Sequence, residues 1–357
     1  MDGLLVLRPP QALRSGDDVL CWKTIAGLTE AGLPSRGDEL SSQWWASRLW
    51  FSKLPGRRTL FENGPARLGL LRHRRKIESA DAVWINGPAS PLNRDCWFER
   101  SIVRAGKPYV FHLQDDWFSL PNLREVAAPR VGLASLVVVP TEPLKERILG
   151  LFPDAKVLVL EEPIDVERLK PSDTDPPSGL PFLVWTGHVA SMTDLKEYAA
   201  ILERVYARYP FKLRIVSGQH KPTLTATFPW EWLSFDSGRE SEALSGAAAG
   251  LAPLEDGSYA RCKGGYKVKT YLAAGIPVVA SPVGHHCNLI RSGENGILAS
   301  TADEWVEALS KLLTDSDFGR RLELAARESA VAHYSHEILM PVCAEKLRQA
   351  LPELRNR

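Results

Sequence analysis

The chain lacks the marks of several large protein classes, and each absence removes a kind of function. Its 357 residues hold five cysteines, Cys21, Cys96, Cys262, Cys287 and Cys343, with no Cys-x-x-Cys pair among them. An odd number of widely spaced thiols argues against a disulfide framework or a cysteine zinc site and fits a reducing compartment. A dominant charge is also missing: 44 Lys and Arg stand against 43 Asp and Glu, a formal net charge of +1. Bulk binding of nucleic acid needs a basic excess, so no nucleic-acid partner is expected. No uninterrupted apolar run reaches membrane-spanning length, and the first residues show no basic leader ahead of an apolar core. A cytoplasmic protein without export signal or membrane span is therefore expected. No short-period repeat is present, which sets aside solenoids and propellers.

What the sequence has in quantity is alternation. Short apolar runs predict strands at Gly3–Leu7, Ala82–Asn86, Pro108–Leu113, Ser135–Pro140 and Lys156–Leu160, with helices over Val19–Ala31, Asn93–Ala105 and Thr141–Gly150. Pro171, Pro176, Pro177 and Gly179 then interrupt the pattern with linker chemistry. Beyond them it restarts, with strands at Phe182–Thr186, Lys212–Ser217, Leu251–Leu254, Val278–Ser281 and Gly296–Leu298. Helices are expected over Asp194–Tyr209, Glu240–Ala249, Ala302–Leu313 and Phe318–His333. A chain of this length exceeds one hydrophobic core. The expected fold is α/β, two Rossmann-like doubly wound domains facing each other across a cleft: domain 1–168, linker 169–181, domain 182–335, and a C-terminal helix 336–357 that crosses back.

In open parallel sheets ligands bind beyond the carboxyl ends of the strands. That rule places the loop with Arg14 and Gly16, His112 after the Pro108 strand, and Asp115 and Asp116 on the ligand side of the first domain. The two aspartates have a plainer reading as helix caps, and His112, flanked by Phe111 and Leu113, as a core histidine. Between Trp44 and Lys76 tryptophans alternate with basic residues, and Glu62 is the only acid. This composition fits peripheral contact with an anionic membrane at its inner face or a phosphorylated acceptor; a packed core with a solvated helix face is the alternative.

The stretch Gly250–Gly284 reads as strand, glycine loop, helix, turn and strand. Gly264 and Gly265 open the helix, so backbone N–H groups are free to meet an anion at its positive end. Lys263 and Lys267, one turn apart, add charge there. This is a diphosphate cradle by chemistry, although two lysines on a solvated helix would show the same spacing. His285 and His286 are adjacent and diverge on a helix, and no further ligands lie near them in sequence, so no metal is expected.

The run Lys267-Val268-Lys269-Thr270-Tyr271-Leu272-Ala273-Ala274-Gly275-Ile276-Pro277-Val278-Val279, followed by Gly293-Glu294-Asn295-Gly296, resembles the donor domain of GT-B glycosyltransferases of family 4. Glu162-Pro163-Ile164-Asp165 is similar to the family's interdomain crossover. The resemblance implies metal-independent, cofactor-free transfer of a sugar from a nucleotide diphosphate sugar to a glycan, lipid-linked or small-molecule acceptor, with retention at the anomeric carbon. It implies catalytic roles for His112, Lys263 and Lys267, and donor contacts from Gly187, His188, Glu255, Asp256, Gly264, Gly265, Tyr266 and Thr270. The family's Glu-x7-Glu pair is replaced here by Cys262 and Thr270, beside a Lys-x3-Lys pattern. Thr270 is expected to reach the ribose, and Glu255 or Asp256 the sugar. A nucleotide-sugar epimerase on the same scaffold and a catalytically silent sugar-nucleotide binder are the alternatives.

Overall fold

The computed structural model describes residues 3–8, 17–39, 73–87, 96–171, 179–188, 191–218 and 221–355. The chain divides into two compact units, Met1–Glu161 with Leu339–Arg357, and Glu162–Ile338.

The first unit is built on a parallel sheet of β1 (Leu4–Arg8), β2 (Ser35–Glu39), β3 (Ala82–Asn86), β4 (Tyr109–His112), β5 (Leu136–Val139) and β6 (Val157–Val159), in the order β2-β1-β3-β4-β5-β6. Its central strands are continuous apolar runs because helices cover both faces. One core joins Leu4, Val6, Trp84, Val110 and Val138 to Met340, Cys343, Ala344 and Leu347 of the last helix, His336–Ala350. That burial is why the C-terminal residues belong to this unit.

The second unit holds β7 (Phe182–Thr186), β8 (Lys212–Ser217), β9 (Trp230–Ser234), β10 (Ala249–Ala252), β11 (Val278–Ala280) and β12 (Ile297–Leu298), in the order β12-β11-β10-β7-β8-β9, all parallel. Side chains alternate between two cores. Leu183, Trp185, Leu213, Ile215 and Leu251 pack under helices carrying Leu202, Trp305 and Leu309. Phe182, Val184, Ala252, Val278 and Ala280 pack under Val268, Tyr271, Leu272 and Ala326. The unit begins at Glu162, and Ile164, Val166 and Leu169 are buried in the second of these cores.

Several elements were invisible to periodicity. β2 and β9 are edge strands, and β2 reads Ser-Arg-Gly-Asp-Glu with no apolar face. Helix Pro121–Leu133 carries Pro129 inside it, a residue that sequence rules treat as a breaker. The helix expected over Asp194–Tyr209 is two, Met192–Glu197 and Ala199–Tyr206.

Helix Ala302–Thr314 starts with a capping box in which the Thr301 hydroxyl accepts from Glu304 N and Glu304 reaches back to the Thr301 backbone. Thr301→Ala is expected to cost about 1 kcal/mol, read as a lower Tm.

Candidate functional site

The strand order of the second unit reverses between β7 and β10, and such a switch point leaves a crevice outside the carboxyl ends of the two strands. Thr186, Gly187 and His188 end β7. Leu254 and Glu255 follow β10 and lead, through the short helix Ser258–Arg261, into helix Tyr266–Ala273.

Gly265 is the N-cap of that helix, at φ 67°, and no side chain caps it. A β-carbon at Gly265 would be strained in the left-handed region and would stand 2.5 Å from Leu289 Cδ1. The first N–H groups of the helix thus lie open beside a strand switch, with the dipole favouring negative charge.

Lys267 sits on the first turn, with Nζ 4.2 Å from the centroid of the Trp185 ring. It forms no ion pair among the described residues. Burial pushes its pKa down to about 7, the charge of Lys263 pushes the same way, and Asp194 opposes them. Its residue is half-buried, so the ammonium sits deep while the side chain still touches solvent. Gly187 makes room for this arrangement: a β-carbon there would lie 2.9 Å from Trp185 Cη2 and 3.5 Å from Lys267 Nζ. Lys263 is half-buried, with Nζ 5.1 Å from the Tyr259 ring centroid. Two cations and a helix N-terminus with no carboxylate on Lys267 form a strongly anion-seeking edge.

The structure brings Gly187, Lys263, Gly264, Gly265, Tyr266 and Lys267 to this edge, with His188 exposed at the end of β7. Thr270 lies on the same helix. It is 1% exposed, and its hydroxyl donates to the Tyr266 carbonyl at 3.1 Å, because a residue four positions on lies over the preceding helical turn. Glu255 and Asp256 are exposed, and Asp256 accepts a two-pronged hydrogen bond from Arg261, at 2.6 Å from both Nε and Nη2. The hydrogen bond from Arg261 holds the Asp256 carboxyl below its ordinary range. Lys269 points elsewhere: it is fully buried and donates to the Glu162 carbonyl at 2.9 Å.

The remaining expected residues lie in the first unit. His112 ends β4, with its ring centroid 5.1 Å from that of Trp84. Burial lowers its pKa to about 4, so the imidazole is neutral near pH 7. Asp116 is fully buried and caps the turn Trp117–Ser119, accepting from Phe118 N and Ser119 Oγ. The same carboxylate lies 3.6 Å from Arg147 Nε on helix Glu142–Leu151. Asp115 is half-buried and its carbonyl accepts from Trp117 N. Arg14 and Gly16 lie outside the described residues, as does the tryptophan-rich segment up to residue 72. In the described end of that segment, His73 is buried 2.8 Å from the Asp38 carboxylate, and Lys76 Nζ lies 2.6 Å from the same group.

Sequence reasoning gave no role to Trp185 and Ser281, and weighed His286 only as half of a metal pair. Ser281 Oγ accepts from Leu254 N at 3.0 Å and pairs with the Tyr198 hydroxyl at 2.9 Å, tying the turn after β10 to the end of β11. A tryptophan one residue before the end of a switch-point strand, followed by glycine, was the available signal. No group of His, Cys, Asp and Glu among the described residues could hold a metal ion, and no described helix is long and apolar enough to cross a membrane.

Comparison with known proteins gives the same fold, and a family model matches part of the second unit. Residues 181–315 match the family model described as Glycosyl transferases group 1. The structure of Alr3699/HepE from Anabaena in complex with UDP and glucose superposes with a TM-score of 0.68 at 14% identity, over 97% of this chain and 99% of that one. Sucrose-phosphate synthase from Thermosynechococcus elongatus gives 0.69 at 14% identity over 97% and 98% of the two chains. A glycosyltransferase from Rickettsia africae gives 0.65 at 13% identity over the full length of both. A search of curated protein sequences found no match. At these identities the structural likeness is one of fold, α/β with two six-stranded parallel sheets.

Proposed function

We propose, from the premise that residues 181–315 form a group 1 glycosyltransferase domain, that the protein transfers a sugar from a nucleoside diphosphate sugar to a hydroxyl-bearing acceptor, with retention of anomeric configuration and without a metal ion. The observation that carries the reading is the edge at Gly187, Lys263, Gly265 and Lys267. There a cation with no ion-pair partner among the described residues and a helix end with no side-chain cap meet at the strand switch. Support for the donor class comes from the Anabaena relative, whose structures hold UDP with glucose, or UDP-glucose.

In the proposed reaction the bond between the anomeric carbon and the diphosphate oxygen breaks, and its electron pair leaves with the diphosphate. Lys267, Lys263 and the helix N-terminus stabilise the charge that develops, without reorganising as it forms. The sugar becomes oxocarbenium-like. The acceptor oxygen attacks from the face the diphosphate leaves, and its proton passes to a diphosphate oxygen, giving a glycoside and a nucleoside diphosphate.

A thermal-shift screen against nucleoside diphosphates and their sugars tests the reading. A ligand bound only by the folded state raises Tm, by about 2.7 kcal/mol of stability at a hundredfold excess over Kd. One nucleoside series is expected to stabilise the protein, and no shift with any of them would defeat the proposal.

A further inference from the structure

His286 opens the short helix His286–Leu289 and is 6% exposed. Its Nδ1 lies 3.0 Å from the Ser281 carbonyl oxygen. A carbonyl oxygen only accepts, so Nδ1 carries the proton of that hydrogen bond. Ser281 is itself fixed, since its N donates to Ala252 O at 3.3 Å and its Oγ holds Leu254 N and the Tyr198 hydroxyl. One edge of the imidazole is therefore pinned to the end of β11. The other edge faces the N-terminus of helix Tyr266–Ala273: a β-carbon built on Gly265 would lie 3.6 Å from His286 Cδ2, the ring atom next to Nε2.

The charge environment settles what Nε2 offers. Burial holds the imidazolium down, the Ser281 carbonyl opposes this, and the charges of Lys267, His285 and Lys263 lower it further, to a pKa of about 4. With the proton on Nδ1, Nε2 presents a lone pair. This lone pair would repel a phosphate oxygen and takes a hydrogen-bond donor, which a ligand hydroxyl supplies.

We propose that His286 Nε2 accepts a hydrogen bond from a hydroxyl of the sugar-nucleotide donor, beside the lysines that meet its diphosphate. The assignment rests on the donor reading above and adds a residue that reads the non-phosphate part of that ligand. Ribose and the transferred sugar both carry such hydroxyls, and binding measurements separate them.

The test compares wild type, His286→Asn and His286→Gln by calorimetry. The probes are pyrophosphate, the nucleoside diphosphate that stabilises wild type most in the thermal screen (UDP being the first to try), and its glucose ester. Asparagine keeps an N–H where Nδ1 stood and has nothing at Nε2; glutamine restores an amide acceptor near Nε2. His286→Asn is expected to bind the glucose ester about tenfold more weakly, with pyrophosphate binding and Tm unchanged, and His286→Gln to recover part of the loss. An equal loss with the nucleoside diphosphate assigns the contact to ribose, and a loss confined to the ester assigns it to the sugar. Equal affinity of His286→Asn and wild type for both nucleotides overturns the role of His286 alone. So does a matching loss toward pyrophosphate, which would mark a disturbed helix end. Failure of wild type to bind any nucleotide would bring down the donor reading as well.

Discussion

Lys267→Met should weaken binding of the nucleotide sugar by at least tenfold and lower transfer at least as much, about 1.4 kcal/mol in each measure. Methionine fills similar volume against Trp185 and Gly187, so the fold should persist while the cation is lost. Lys263→Ala is expected to act in the same direction. Activity unchanged in both variants would refute the cradle. The titration of Lys267 adds a second readout. Its pKa near 7 in the free protein means that the ammonium is mostly charged at pH 6 and mostly neutral at pH 8. A bound diphosphate favours the charged form, so above pH 7 binding must draw in a proton. Affinity should fall by up to about tenfold per pH unit there and be flat, from this group, below it. Calorimetry in buffers of different ionisation enthalpy should detect proton uptake in wild type at about pH 8 that Lys267→Met abolishes. Stability changes with pH in the opposite direction: the folded pKa lies below the unfolded one, so this lysine burdens the fold most below pH 7, and the burden lifts as pH rises toward the ordinary lysine value.

Arg130→Leu is expected to destabilise the protein by about 3–5 kcal/mol. Arg130 is fully buried on helix Pro121–Leu133. Its Nε donates to Glu99 Oε1 at 2.6 Å and its Nη1 to the Val126 carbonyl at 2.6 Å. Glu99, on helix Trp97–Arg104, is 1% exposed, so removing the guanidinium would take from a buried carboxylate the cation 2.6 Å away. The double variant Glu99→Leu/Arg130→Leu should be less damaged than Arg130→Leu alone, because no charge is then stranded. Chemical denaturation of wild type, the two single variants and the double variant checks this, and additive losses would show that the pair is uncoupled.

The two predictions differ in how far the sequence alone supports them. The lysines beside paired glycines were legible because local rules govern them: a helix end exposes N–H groups whatever surrounds it, and residues four apart share a face. The Glu99–Arg130 pair spans 31 positions, and its second helix starts at one proline and contains another. Local propensity argued against that helix, and packing overruled it. Thr270 shows a partner that the helix itself supplies. Its place in the family pattern offered it to the ribose, but the helix turned its hydroxyl back onto Tyr266. Asp116 likewise went to a cap, the plainer of its two readings.

Alternation of apolar runs with helical segments, read from the sequence by itself, determined an α/β fold of two parallel-sheet units, since only strands buried on both faces are so uniformly apolar. It also determined an anion-seeking helix start at Gly264–Lys267. The tertiary structure decided what stands around that start. Trp185 and Gly187 come from a strand some eighty positions earlier in the chain and lodge the Lys267 ammonium, a desolvation that no local pattern records. Ser281 and His286 come from beyond the next strand and turn a neutral acceptor toward the same helix end. The physical reason is that charge state and hydrogen-bonding direction depend on burial and on partners brought together by the order of strands in the sheet, whereas helix ends and strand alternation are written in neighbouring residues.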